Sequence, residues 1–214
     1  MERVFDSQMD KVKTKLIKMC SLVDEQFEIL HELFKSCNEE NIQKVIEKNV
    51  EIQELKESIE RNCQKVFVLT QPVANDLRDV LLYLKINVLF NNLTLTINNL
   101  LELIKIHSKN TINGDLTEIY EASYSTLELL KTSFDAFIVN DLELTNRIIS
   151  SKSTFDNMIQ TNLSDLVLLA ENNSENMGAI YNVVTILNEF KHIKNCCIEL
   201  CEDVVVLNEN KDLE

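Results

Sequence analysis

The residues with the most chemistry in them are clustered near the end of the chain. His192 and Cys196 stand four apart, as do Cys197 and Cys201. On a helix each pair shares a face, but the two pairs point about 100° apart. A four-ligand zinc site would therefore need further donors, Cys20, Cys63 or His107, brought in from other helices. Cys197 and Cys201 also continue an apolar stripe, so a core role competes with a ligand role. The six cysteines show no small-domain disulfide framework, and reduced thiols are expected. The three histidines, His31, His107 and His192, are each isolated on a predicted helix. There is no glycine-rich phosphate loop, no GxSxG elbow, no HExxH and no CxxC pair. The chain is not expected to be an enzyme, and no cofactor is expected.

The elements that would hold these residues are helices. The 214 residues include only two glycines, one proline and no tryptophan. A β-rich chain of this size needs many tight turns, usually built on glycine or asparagine. Phe5, Met9, Val12, Leu16, Met19, Val23, Phe27, Leu30 and Phe34 alternate steps of four and three, which predicts a long first helix. Asn38 before Glu39 and Glu40 predicts an N-cap with acids in the first turn. A second helix is carried by Ile42, Val45, Ile52, Leu55, Ile59, Cys63 and Val66, and Pro72 marks the next joint. The third helix is read on Leu77, Leu81, Leu84 and Val88.

Residues 108–115, with Gly114, form the longest polar break. They divide the chain into two units, 1–110 and 111–214. A fourth helix is carried by Leu116, Ile119, Tyr120, Leu127, Leu130, Phe134 and Phe137. Asn140 and Asp141 cap a fifth, on Leu142, Ile148, Phe155, Ile159 and Leu166. Asn172, Asn173 and Ser174 cap a sixth, on Ile180, Val183, Leu187, Phe190, Cys197, Cys201 and Val204. A shift of one hundred residues places Val80 on Ile180, Leu84 on Val184 and Ile86 on Ile186. The expected fold is all-α: two tandem three-helix bundles related by internal repetition.

The formal charge of −14 works against nucleic acid and against anionic membrane surfaces. The N-terminus lacks the basic-then-apolar pattern of a secretion signal, and no apolar run reads as long enough to insert in a bilayer. A cytoplasmic location is expected.

One segment is more specific than periodicity. Gln71-Pro72-Val73-Ala74-Asn75-Asp76-Leu77-Arg78, followed by Leu84-Lys85-Ile86, resembles the QPxAxDLR…LKI signature of PhoU-type phosphate-uptake regulators. Cys201-Glu202-Asp203-Val204-Val205-Val206-Leu207 is similar to that family's closing AEEVIYL segment. The resemblance implies a two-repeat, six-helix negative regulator of the phosphate response. The implied partners are a phosphate ABC transporter and a phosphate-sensing histidine kinase, with homodimerisation left open. Other readings are a helical adaptor for another transporter or kinase, or a structural oligomer with no phosphate role.

The resemblance also implies carboxylates for metal clusters, an E/DxxxD pair on the third helix of each repeat and facing acids on the second. Those positions fall on Asn91 and Leu95, with Asn49 and Gln53, in the first repeat. In the second they fall on Lys191 and Asn195, with Lys152 and Asp156. Only Asp156 is acidic, so no family-type metal cluster is expected. Asn49, Gln53 and Asn91 are expected to form an amide network instead. Asp156 can pair with Lys152 on its own helix, and Lys191 from the sixth is expected either to reach it too or, with Lys152, to snorkel to solvent. Asp76 and Arg78, at the entry to the third helix, are the candidate partner contacts, against a plain capping role.

Overall fold

Two helix starts are fixed by side chains that the sequence supplies. Asn38 Oδ1 accepts the Asn41 backbone N–H at 2.9 Å, and Asp141 accepts from the Leu144 N–H at 2.9 Å. Each satisfies an N-terminal donor that the helix itself leaves unpaired. Between them, Asn140 adopts a left-handed φ of 58°, and the Asp141 N–H reaches back to the Ala136 carbonyl at 3.0 Å. That is the geometry by which asparagine closes a helix when glycine is absent.

The structure, a computed structural model, describes residues 4–70, 74–109, 117–172 and 177–211. These residues form helices α1 (Val4–Lys35), α2 (Glu39–Thr70), α3 (Ala74–Lys109), α4 (Thr117–Val139), α5 (Leu142–Ser150), α6 (Lys152–Asn172) and α7 (Met177–Lys211). The expected fifth helix is thus two helices, separated at Ser151. At its break the Ser151 N–H is shared between the Arg147 and Ile148 carbonyls, at 3.1 and 3.0 Å. Ser150 and Ser151 also donate their hydroxyls back to Asn146 and Ile148 carbonyls. Serines that compete for the backbone in this way bend helices. Of the expected break at 108–115, residues 108 and 109 belong to α3, and Asn172 of the expected cap is the last residue of α6; residues 110–115, Asn173, Ser174 and Gln71, Pro72 and Val73 of the signature lie outside the described residues.

Helix α1 packs on α2, α3 and α4, and α7 packs on α3, α4, α5 and α6. The central α3–α7 pair joins the two bundles, and one continuous core runs from Phe5 to Leu207 through both. The repeat is visible in that core. Ile86, Phe90, Leu93, Ile97, Leu100 and Ile104 of α3 are buried, and so are Ile186, Phe190, Ile193, Cys197, Leu200 and Val204 of α7. Each member of the second set follows its counterpart by one hundred residues. The phenylalanines cross between bundles. Phe90 packs edge-on to Phe134 and Phe137 of α4, while Phe190 does the same to Phe27 and Phe34 of α1. Edge-to-face aromatic pairs add to the energy of burial alone, so these reciprocal contacts bind the halves together.

The face of α3 differs from the sequence reading. Leu77, Leu81 and Val88 are exposed, the last two at 54% and 52%, and the core face is the Val80–Ile86–Phe90 side. Leucine and valine occur all round α3, so periodicity does not select its buried face. The same composition makes 76–106 long and apolar enough to cross a membrane, contrary to the expectation above; more than half of its most apolar stretch is buried in the bundle. Leu142, expected in the core, is exposed at the start of α5.

Candidate functional site

In the first repeat the antiparallel packing of α2 on α3 brings two of the singled-out amides together. Gln53 Nε2 donates to Asn91 Oδ1 at 2.9 Å. Asn49, one turn before Gln53, does not join them: its Oδ1 is buried without a hydrogen-bond partner. Leu95 is 51% exposed and faces the groove between α3 and α7 with Asn92, Asn99 and His192. Two further amides extend the polar seam. Gln26 of α1, fully buried, donates to the Val45 carbonyl at 3.0 Å. Asn87 donates to the Lys56 carbonyl at 3.3 Å. Both are buried amides whose carbonyl oxygens have no partner. For Asn87 the available signal was its i, i+4 spacing to Asn91 on α3, and for Gln26 its place on the α1 stripe between Val23 and Leu30.

In the second repeat the expected partner is replaced by its neighbour. Asp156 accepts from Lys194 Nζ at 2.7 Å. Lys194 is 1% exposed, whereas Lys191, Lys152 and Asn195 are exposed. Among the described residues neither Lys191 nor Lys152 forms an ion pair with Asp156. The reason is rotational. Lys191 follows Phe190 around to the solvent side, while Lys194 lies one turn beyond Phe190 on the inward face. Its counterpart in α3, Thr94, is also buried and merely returns its hydroxyl to the Phe90 carbonyl at 3.0 Å.

These residues do not fit a metal cluster of hard oxygen donors. The first set points an amide N–H into the shared space, and the one carboxylate of the second is already held by an ammonium. Among the described residues no group of three or more His, Cys, Asp or Glu is placed to hold a metal. The soft-metal arrangement fares the same. Cys20, Cys63, Cys196, Cys197 and Cys201 are buried free cysteines. Burial pushes the Cys196 thiol up to about 12 and those of Cys63 and Cys201 to about 11, which opposes the thiolate that zinc requires. The His107 side chain lies outside the described residues.

His31 is not isolated as the sequence suggested. It stacks on Tyr120 at 4.3 Å and its Nδ1 lies 2.6 Å from Ser123 Oγ. The serine donates its own proton to the Tyr120 carbonyl at 2.8 Å. The histidine therefore donates through Nδ1–H, and the hydroxyl is a buried bridge rather than an activated nucleophile.

The two resembling segments meet. Lys85 of α3 contacts Asp203 at 2.6 Å and Glu199 at 3.1 Å, both on α7. The Asp203 side chain is 4% exposed. Burial raises its carboxyl above the ordinary range, and the Lys85 ammonium pulls the other way. Arg78 is exposed and lines a shallow apolar groove with Leu81, Leu82, Lys85 and Val206. Asp76, in the first turn of α3, is buried. Of the two candidate contacts, Arg78 is exposed and Asp76 is buried.

A family model described as the PhoU domain matches residues 16–110. The "Phosphate-specific transport system accessory protein PhoU homolog 1" of Thermotoga maritima is 24% identical over 214 residues, 98% of this chain and 91% of the relative. The PhoU homolog of Clostridium acetobutylicum is 18% identical over 213 residues, covering 99% and 97%. In fold, the crystal structure of PhoU from Pseudomonas aeruginosa superposes with a TM-score of 0.88 at 19% identity, over 96% of this chain and 99% of that one. The phosphate transport system regulatory protein PhoU from Streptococcus pneumoniae gives 0.83 at 16% identity, over 95% and 96%.

Proposed function

From the premise that the family model, the curated relatives and the fold support assignment to the PhoU-type phosphate transport regulators, we propose that this chain is a cytoplasmic negative regulator that acts through protein contacts and catalyses no reaction. Its partners on this reading are a phosphate ABC transporter and a phosphate-sensing histidine kinase.

One observation carries the reading. The scaffold and its two signature segments are kept, joined through Lys85 and Asp203, while the positions of the implied metal chemistry hold an amide bridge and an ammonium–carboxylate pair. A surface selected for contact survives the loss of metal ligands; a metal-dependent activity would not. Arg78 and the apolar groove beside it are the contact we assign to a partner.

The test is affinity capture of the tagged chain from phosphate-rich and phosphate-starved cells. Recovery of a phosphate transporter subunit or its kinase, lost in Arg78→Glu with helicity unchanged, is the expected result. Capture of neither under both conditions, or capture unaffected by Arg78→Glu, contradicts the partners or the contact respectively.

A further inference from the structure

Helix α3 is apolar on several faces, yet one of those faces meets solvent. A helix that is hydrophobic all round is ordinarily buried. Leu77, Leu81, Val88 and Leu95 are exposed, the last three seven residues apart. That step makes a nearly straight apolar row about 21 Å long. A polar row runs beside it, with Arg78, Lys85, Asn92 and Asn99 also exposed. The fold does not require the apolar row. Its counterparts one hundred residues on, in α7, are Tyr181, Asn188 and Asn195, exposed and largely polar. Shallow grooves lie along the row. Leu81 shares one with Val206, and Leu95 shares the other with Glu189 and His192 of α7.

We propose that a second copy of this chain covers the row, with the two α3 helices packed antiparallel across a two-fold axis at Val88. The seven-residue spacing makes the row self-complementary in that arrangement. Val88 meets its own copy on the axis, and Leu81 of each chain meets Leu95 of the other, as a closed two-fold interface requires. Charge selects the same direction. Lys85 is held by Glu199 and Asp203 of its own chain, and Arg78 is the other cation of the polar row. The far end of that row is acidic, since Asn99 contacts Glu189 of α7 at 3.5 Å. Antiparallel packing sets Arg78 against that acid, whereas parallel packing sets Arg78 against itself. The net charge of −14 argues against an anionic lipid surface as the cover. Arg78 and Leu81 also border the groove assigned above to a transporter or kinase, so the dimer and that contact exclude one another. The dimer concerns the chain alone and is tested without those partners.

The test is sedimentation equilibrium of the full-length chain over about a hundredfold range of concentration. A reversible monomer–dimer equilibrium is expected. Val88→Asn with Leu95→Asn gives the first repeat the residues that the second carries at the same positions, so helicity should be unchanged. That pair should raise the dimer dissociation constant by about tenfold or more, since both chains lose the seam. Arg78→Glu should weaken the dimer by a smaller factor. Adding Glu189→Arg to it should restore the parent value, because the exchanged charges meet across the axis. A chain that is monomeric at every concentration, a dimer unchanged by Val88→Asn with Leu95→Asn, or a charge exchange that restores nothing overturns the proposal.

Discussion

Helices α3 and α7 bury the same apolar register one hundred residues apart, and they differ where a polar group enters it. At that level α3 carries Thr94 and α7 carries Lys194, both buried. The threonine satisfies itself on its own helix. The lysine must find an anion, and Asp156 of α6 supplies it. The residue in the place of Asp156 in the first repeat is Gln53, which needs no ion and pairs with Asn91. The positions that the resemblance assigns to carboxylates can therefore be filled in two ways. A repeat can neutralise every member, as in the first half, or keep one acid and provide a fixed cation, as in the second. The second way is the more fragile, because removing one member leaves a charge behind.

The largest expected effect follows from that asymmetry. Lys194→Ala removes the cation and the packed stem together. It should cost about 2–4 kcal/mol, below the full range for a buried pair because Asp156 is partly solvated. The double variant Lys194→Met with Asp156→Leu should recover most of the loss in denaturant unfolding. A second perturbation restores acids. Asn49→Glu, Gln53→Glu and Asn91→Glu together should let the first repeat take up a divalent transition metal, seen by calorimetric titration. Lys152→Glu, Lys191→Glu and Asn195→Asp should fail to do so in the second while Lys194 remains. Uptake by the second set would break the comparison.

Smaller effects sharpen it. Gln53→Ala should cost about 1 kcal/mol, the scale of one neutral hydrogen bond. Gln53→Leu with Asn91→Leu should be nearly neutral. The α1–α4 seam between the halves adds a titration. Burial raises the Asp24 carboxyl to about 6, with Lys131 opposing. The folded chain then binds the extra proton between the ordinary carboxylate value and about 6, so the penalty from Asp24 is relieved as pH falls through that window. Burial lowers His31 instead, so its contribution is lost as pH falls below the ordinary histidine value. Asp24→Asn should raise the melting temperature slightly at pH 7 and not at all near pH 4.

Much of the fold was legible because helix caps and the core stripes of α1, α2, α4 and α7 are written in residue type and spacing. Asn38 and Asp141 cap where their positions implied. Helix α3 was misread because it is apolar on several faces, so which face is buried depends on α1, α2 and α7 rather than on α3 itself. The break at Ser151 follows from serine hydroxyls bonding back to the helix, a local signal overlooked beneath an unbroken apolar period. At the site, the Gln53–Asn91 bridge was readable from position. The partner of Asp156 was legible too, since Lys194 falls on the α7 stripe four after Phe190 and three before Cys197 while Lys191 falls off it, but alignment to the family positions drew attention to Lys191.

The central claim is that the PhoU-type scaffold persists here without the metal chemistry its resemblance implies. Elemental analysis of the chain purified without chelator, with its melting temperature measured before and after chelator, tests this most directly. The account predicts no stoichiometric transition metal and an unchanged melting temperature. One or more metal ions bound per chain, with a melting temperature that falls on chelation, would contradict it.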